Sequence, residues 1–110
     1  MLDKRRGKTR RPSKTKIMQT HDTFTTHLGT DFKFRFVQSD SAVEIFIEEQ
    51  PSYAGRSDDQ HTTHRLETDQ GTKICWTGQI TTLADAKKVC AAWCFYTERY
   101  VLTGQKFPTH

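Results

Sequence analysis

Apolar and polar residues alternate in two neighbouring stretches, which is the periodicity of strands that bury one face. The first stretch, residues 31–37, has phenylalanine at every second position: Phe32, Phe34 and Phe36. The second, residues 42–49, has Val43, Ile45 and Ile47 on its apolar side. Residues 38–41 between them are turn formers. The pattern predicts an antiparallel hairpin whose apolar side faces a core.

Weaker alternation on either side of this hairpin predicts further strands. Residues 23–28 form a short first strand that ends at a glycine, and residues 62–68 and 72–77 form a second hairpin around a turn at residues 69–71. In that hairpin we expect Leu66, Ile74 and Trp76 to face the core. The Pro-, Gly- and Asp-containing segment 51–60 between the hairpins is predicted to be an exposed loop.

A single long helix is predicted over residues 83–102. Thr82 and Asp85 have the spacing of a capping box, and Gly104 is suited to end the helix. The three-and-four spacing typical of a core-facing stripe is kept by Leu83, Ala86, Val89, Cys90, Trp93, Cys94, Thr97, Tyr100 and Val101. We therefore expect the helix to cover one face of the sheet.

These elements predict an α+β fold: a four- to five-stranded antiparallel sheet from two hairpins, with one long C-terminal helix packed on one face. The chain has 110 residues, of which 34% are hydrophobic. That length suits one small core, so residues 20–110 are predicted to form a single domain. A small core favours further burial in an interface, and a homodimer is expected.

Residues 1–19 are predicted to be a disordered basic arm, because they have few apolar side chains to bury. The first sixteen residues hold eight of the seventeen Lys and Arg: Lys4, Arg5, Arg6, Lys8, Arg10, Arg11, Lys14 and Lys16. Their single acid is Asp3, so the net charge of the arm is +7, whereas the other 94 residues carry −3. The basic character of the chain belongs to the arm.

A flexible polycation gains free energy by releasing counterions from a polyanion, so nucleic acid is the expected partner. We expect a single strand of DNA or RNA. The alternative is a protein-interaction or assembly module, for example of a virus, whose arm is a targeting or packaging tail or contacts an acidic surface.

Seven residues of the domain are the candidate binding residues beside the arm. Lys33, Arg35, Phe46, Arg65 and Lys73 are predicted on the outer, solvent-facing side of the sheet, and Tyr53 and Arg56 in the loop. Acids lie among them at Glu44, Glu48 and Glu67, which indicates cross-strand ion pairs. Phe46 is the one aromatic residue expected on this side, where it is a candidate for stacking or for a dimer contact. The stripe of Phe32, Phe34 and Phe36 is interpreted as core and not as a stacking platform.

The remaining chemistry predicts a non-catalytic protein without cofactor or metal. No nucleophile elbow, phosphate loop or metalloprotease helix is present in the sequence. Cys90 and Cys94, one helical turn apart, are candidate zinc ligands together with His61 and His64, but packing is the preferred interpretation of the cysteines. Three cysteines cannot all pair within one chain, and no stretch has the roughly 20 apolar residues that cross a bilayer. We therefore expect an intracellular protein, in the cytoplasm, nucleoid or nucleus, and no membrane partner.

Overall fold

The computed structural model describes residues 17–108, and it confirms the α+β fold. Five strands form one antiparallel sheet: β1 is Met18–Thr25, β2 Asp31–Gln38, β3 Val43–Glu49, β4 Arg65–Thr68 and β5 Gly71–Ile74. A short helix, α1, spans Gln60–Thr63, and the long helix, α2, spans Leu83–Thr103. The strand order is β1-β2-β3-β5-β4, so β1 and β4 are the edges.

The core lies between the inner face of the sheet and α2. Phe32, Phe34 and Phe36 are all fully buried, which confirms their interpretation as core residues. Trp93 of α2 meets the rings of Phe32 and Phe34 edge-on, with centroids 5.9 and 6.1 Å away. Its indole Nε1 donates to the backbone oxygen of Thr63 at 3.1 Å. The polar atom of the largest core residue therefore has a hydrogen-bond partner.

Both ends of α2 agree with the sequence prediction. The hydroxyl of Thr82 accepts a hydrogen bond from the backbone N–H of Asp85 at 3.1 Å, which satisfies one open donor of the first turn. Gly104 has a φ of 79°, and its N–H donates to the backbone oxygen of Tyr100 at 2.8 Å. A left-handed residue at this place is accessible to glycine at little cost, which is why the helix ends there.

The first strand differs from the prediction. It begins at Met18, within the segment predicted as the arm, and ends at Thr25. All eight of its residues are aligned with β2, from Met18 opposite Gln38 to Thr25 opposite Asp31. The polar residues Thr20 and Asp22 occupy inner positions of this strand, so there is no apolar alternation to reveal it. Its existence depends on pairing with β2.

The second hairpin also differs, because residues predicted as strand form α1. The carboxylate of Asp59 accepts from the N–H of Thr62 at 3.1 Å and starts a helical turn, after which His64 adopts a left-handed φ of 52°. Strand β4 therefore begins only at Arg65. Arg65 is aligned with buried Ile74 and Leu66 with Lys73, so Leu66 faces outward and Arg65 faces the helix side, the reverse of the prediction.

Candidate nucleic-acid interface

The predicted binding residues fall into three groups in the structure. The arm residues Lys4, Arg5, Arg6, Lys8, Arg10, Arg11, Lys14 and Lys16 lie outside the described residues. Lys33, Arg35, Phe46 and Lys73 share the outer face, the side of the sheet away from α2, because their strand positions alternate with those of the core residues. Tyr53, Arg56 and Arg65 lie elsewhere, against the helix side.

Each basic side chain that the described sheet presents on its outer face is paired with an acid. The three ion pairs are Lys33 Nζ with Glu49 Oε1 at 3.3 Å, Arg35 Nε with Glu48 Oε2 at 3.2 Å, and Lys73 Nζ with Glu44 Oε2 at 2.7 Å. The cross-strand pairing expected from the sequence is therefore present, with Glu49 in addition. Three bases balanced by three acids create little net field to attract a phosphate backbone.

Phe46 lies on the outer face as predicted, but its ring is not exposed. Only 2% of the residue is accessible, and the guanidinium of Arg35 lies 4.4 Å above the ring centroid. Arg35 is held there by a hydrogen bond from Nη2 to the backbone oxygen of Gln70 at 2.9 Å. Gly71 completes the cover, since a Cβ there would lie 3.5 Å from both side chains. A nucleobase cannot stack on Phe46 without displacing Arg35.

Arg65 joins three segments of the chain, and three of its five N–H donors are used in doing so. Its guanidinium donates to the hydroxyl of Thr63 at 3.0 Å, the side-chain oxygen of Gln50 at 3.1 Å and the backbone oxygen of Asp58 at 3.1 Å. It also lies 5.0 Å from the centroid of the Tyr53 ring. Desolvation by burial raises the pKa of the Tyr53 hydroxyl above its ordinary value. Arg65 and Tyr53 together attach the loop between β3 and α1 to the core.

Arg56 contacts the C-terminal end of α2. Its Nε donates to the backbone oxygen of Val101 at 3.1 Å, and its guanidinium lies beside Gly104, where a Cβ would approach within 2.5 Å. The last carbonyls of a helix lack partners within the helix and carry partial negative charge. Arg56 therefore satisfies this helix end, and it does not extend from the loop toward the outer face.

An aromatic cluster around Arg99 on α2 was not singled out from the sequence. The guanidinium carbon of Arg99 lies 5.5 Å from the Phe95 ring centroid and 5.2 Å from that of Tyr96, and Tyr96 packs on Phe107. Phe95 is 53% exposed. The spacing of three and four residues from Tyr96 and Phe95 to Arg99 is the signal that reveals such a cluster. The cluster joins the exposed Phe95 ring and the Arg99 cation to Tyr96 and Phe107, which pack at the border of the core.

The two helical cysteines are buried thiols. Cys90 and Cys94 are almost inaccessible, and burial raises the pKa of Cys94 to about 12 and that of Cys90 further still. Metal ligation needs the thiolate, which burial disfavours here. Among residues 17–108 no three His, Cys, Asp or Glu side chains are grouped as metal ligation requires. Within the same residues, no helix combines the length and apolar character that crossing a bilayer demands.

Comparison with protein-family models, with curated proteins and with solved structures finds no match for this chain. The function of this chain is therefore inferred from its own charge and geometry. Of the sequence-predicted residues, those of the outer face are brought together but paired with acids, and those of the loop and β4 serve internal contacts.

Proposed function

We propose that this chain binds nucleic acid through its N-terminal arm and that the folded residues carry the arm without contributing much affinity. The observation that carries the proposal is the separation of charge along the chain: net +7 in the first sixteen residues and −3 in the rest. A polyanion is attracted by charge that has no partner, and the arm has eight basic residues for one acid.

The contacts of the folded residues support this division. The outer-face bases are occupied by glutamates, Phe46 is covered, and Arg65 and Arg56 are engaged by the protein. Helix α2 is the one described element long enough to lie in a major groove. It is packed on the sheet, and its Lys87 lies 3.7 Å from Asp22. A single strand can adapt its path to a basic segment without a helix in its groove, so it is the ligand that we expect for the arm.

The assembly hypothesis is favoured by a different observation. Several large apolar side chains are exposed on the folded residues: Ile17, Met18, Leu28, Leu66, Phe95 and Leu102. Of these, Phe95 lines a groove together with Phe24 and Ala91, and an apolar surface of this kind is suited to a protein contact. Assembly and nucleic-acid binding are compatible in one protein, and the following experiment separates them.

The test compares the full chain with a variant in which all eight basic residues of the arm are replaced by glutamine. Binding to labelled single-stranded and duplex oligonucleotides is measured by fluorescence anisotropy at about 50 mM salt. We expect the neutral arm to weaken single-strand binding about 100-fold or more, since most phosphate contacts are lost. A second variant with the arm residues in shuffled order is the matched control, and it should keep its affinity.

Equal affinity of the full chain and the neutral-arm variant would contradict the proposal. If the full chain itself binds neither oligonucleotide at micromolar concentration in low salt, the assembly hypothesis takes its place.

A further inference from the structure

The outward edge of β1 has no neighbouring strand in the part of the chain that the structure describes. The strand is aligned with β2 over eight consecutive residues without a bulge, and no other strand lies along its second side among residues 17–108. Its sequence, MQTHDTFT, contains no Lys, Arg or Pro. Those residues and bulges are the usual means by which proteins keep edge strands from pairing with another chain. None of these occurs in β1, whose one acidic residue, Asp22, lies on the helix side with Lys87 Nζ 3.7 Å from its carboxylate.

The opposite edge of the sheet is protected. Strand β4 has only four residues, and they include the charged Arg65 and Glu67. The side-chain oxygen of Gln60 accepts from the backbone N–H of Glu67 at 2.6 Å, which occupies a donor of the strand. The two edges differ in length and charge, since β1 has twice as many residues and no Lys or Arg. One N–H of β1, that of Thr23, donates to the Asp22 carboxylate at 3.0 Å.

An apolar groove continues the β1 edge on the helix side. It has a volume of about 220 Å³ between the end of β1 and α2, and its apolar lining includes Phe24, Ala91, Cys94 and Phe95. Phe95 is 53% exposed, and Met18 at the other end of the strand is 55% exposed. The open backbone edge and the apolar groove therefore form one continuous surface, which we call the β1 surface.

The β1 surface is complementary to itself. Even-numbered residues of β1 face the helix side, because Thr20 is aligned with Phe36 and Phe24 with Phe32. Antiparallel pairing of two copies about a twofold axis at His21 sets Met18 opposite Phe24 of the second copy, apolar against apolar, at both ends. The same register sets Thr20 opposite Asp22, two groups able to hydrogen-bond. Pairing centred on Asp22 instead would place two carboxylates directly opposite each other, which is unfavourable.

We propose that two copies of this chain associate edge to edge through β1, forming one ten-stranded antiparallel sheet with both long helices on the same face. The occupant of the β1 surface is thus a second copy. An isologous contact of this kind closes on itself and does not lead to fibres. The two arms then start about 25 Å apart, at opposite ends of the paired strands. This proposal goes beyond nucleic-acid binding and does not depend on it.

The test measures the mass of the full chain by sedimentation velocity from about 1 to 100 µM without nucleic acid. The expected mass is twice the 12.8 kDa of one chain. The diagnostic variant is His21→Lys. Within one chain His21 Nε2 lies 3.7 Å from Glu48, so a lysine keeps an acidic neighbour there. In the dimer it sets two ammonium groups opposite each other at the axis. We expect His21→Lys and Met18→Lys each to raise the dimer dissociation constant at least tenfold.

The matched control is Leu102→Lys, which alters a residue of α2 that is 61% exposed and does not line the groove. It should leave the dissociation constant unchanged. Circular dichroism and thermal unfolding establish that each variant is folded. A monomeric full chain at 100 µM would overturn the proposal, as would a dimer that neither His21→Lys nor Met18→Lys weakens, because it uses another surface.

Discussion

The N-terminal arm and the outer face of the sheet both carry basic side chains, but these side chains have different neighbours. In the first sixteen residues, eight bases accompany only Asp3. On the outer face, Lys33, Arg35 and Lys73 each lie within 3.3 Å of a glutamate oxygen. The residue types are the same, and the net charge that a polyanion meets differs by several units.

The number of basic residues therefore does not by itself identify a nucleic-acid interface. Counterion release and long-range attraction both follow uncompensated charge. An exposed ion pair is individually weak, about 0 to 1 kcal/mol, yet it cancels the field of its base. We therefore expect changes in the arm to alter binding and changes in the sheet to alter mainly stability. Four predictions test this comparison.

The largest effect is expected in the salt dependence of single-strand binding. With about eight phosphate contacts and about 0.7 ions released per contact, the log-log slope approaches −5 to −6. Affinity should then fall about 1,000-fold between about 50 and 200 mM salt, measured by anisotropy titrations. A slope near −1 would show that the arm charges do not contact phosphates.

Trp93→Ala is expected to lower the free energy of unfolding by about 3 to 5 kcal/mol, because it removes the fully buried indole that contacts Phe32 and Phe34. Urea denaturation measures the change. Phe95→Ala, two residues away and 53% exposed, is the matched control and should cost under about 1 kcal/mol. Where the Trp93→Ala variant stays folded, its nucleic-acid affinity should be unchanged. A small loss of stability would contradict the central place of Trp93 in the core.

Arg35→Ala is expected to destabilise the fold by about 1 to 2 kcal/mol, because it uncovers the Phe46 ring and removes the hydrogen bond to Gln70. The same change should leave affinity within about threefold. Lys33→Ala serves as the control, since its pair with Glu49 is more than half exposed on both sides and contributes under about 0.5 kcal/mol. An affinity loss for Arg35→Ala as large as that of the neutral arm would place the sheet in the interface.

The smallest effect is expected when the outer-face acids are neutralised together. Replacing Glu44, Glu48 and Glu49 by glutamine leaves the three bases uncompensated while it keeps the side-chain shapes. Single-strand affinity should rise several-fold at low salt, about 1 kcal/mol, and the gain should vanish at high salt. Replacement of Glu67 on β4, which is absent from these three pairs, is the control. No gain at any salt concentration would show that the strand passes far from this face.

Elements with a strong local pattern were predicted correctly from the sequence. The alternating phenylalanines of β2 and the capping residues Thr82 and Gly104 of α2 determine structure through residues close to them in sequence. The sequence around them is therefore enough to predict these two elements. The bounds of β1, predicted as 23–28, and the facing of β4 were predicted incorrectly. β1 exists because β2 supplies its hydrogen-bond partners, and the Asp59 cap shifts the start of β4 by converting residues 60–63 into a helical turn.

The candidate site shows the same limit. Tyr53, Arg56 and Arg65 have the residue types of a nucleic-acid interface, but their partners are chain segments that the sequence pattern does not bring together. Phe46 was predicted on the correct face, and its burial depends on Arg35 and Gly71 of two other strands. Exposure of a ring is a property of its neighbours, so alternation alone does not predict it.

By itself, the sequence determines the α+β composition of elements, the phenylalanine core and the separation of a +7 arm from a −3 remainder. Which bases have an acidic partner, and which edge of the described sheet has no neighbouring strand, depends on the fold. The charge of a side chain is carried by its own atoms, whereas its pairing depends on residues that folding brings near, as Lys73 and Glu44 meet at 2.7 Å across 29 positions of the chain. That dependence on distant neighbours makes the outer face nearly neutral.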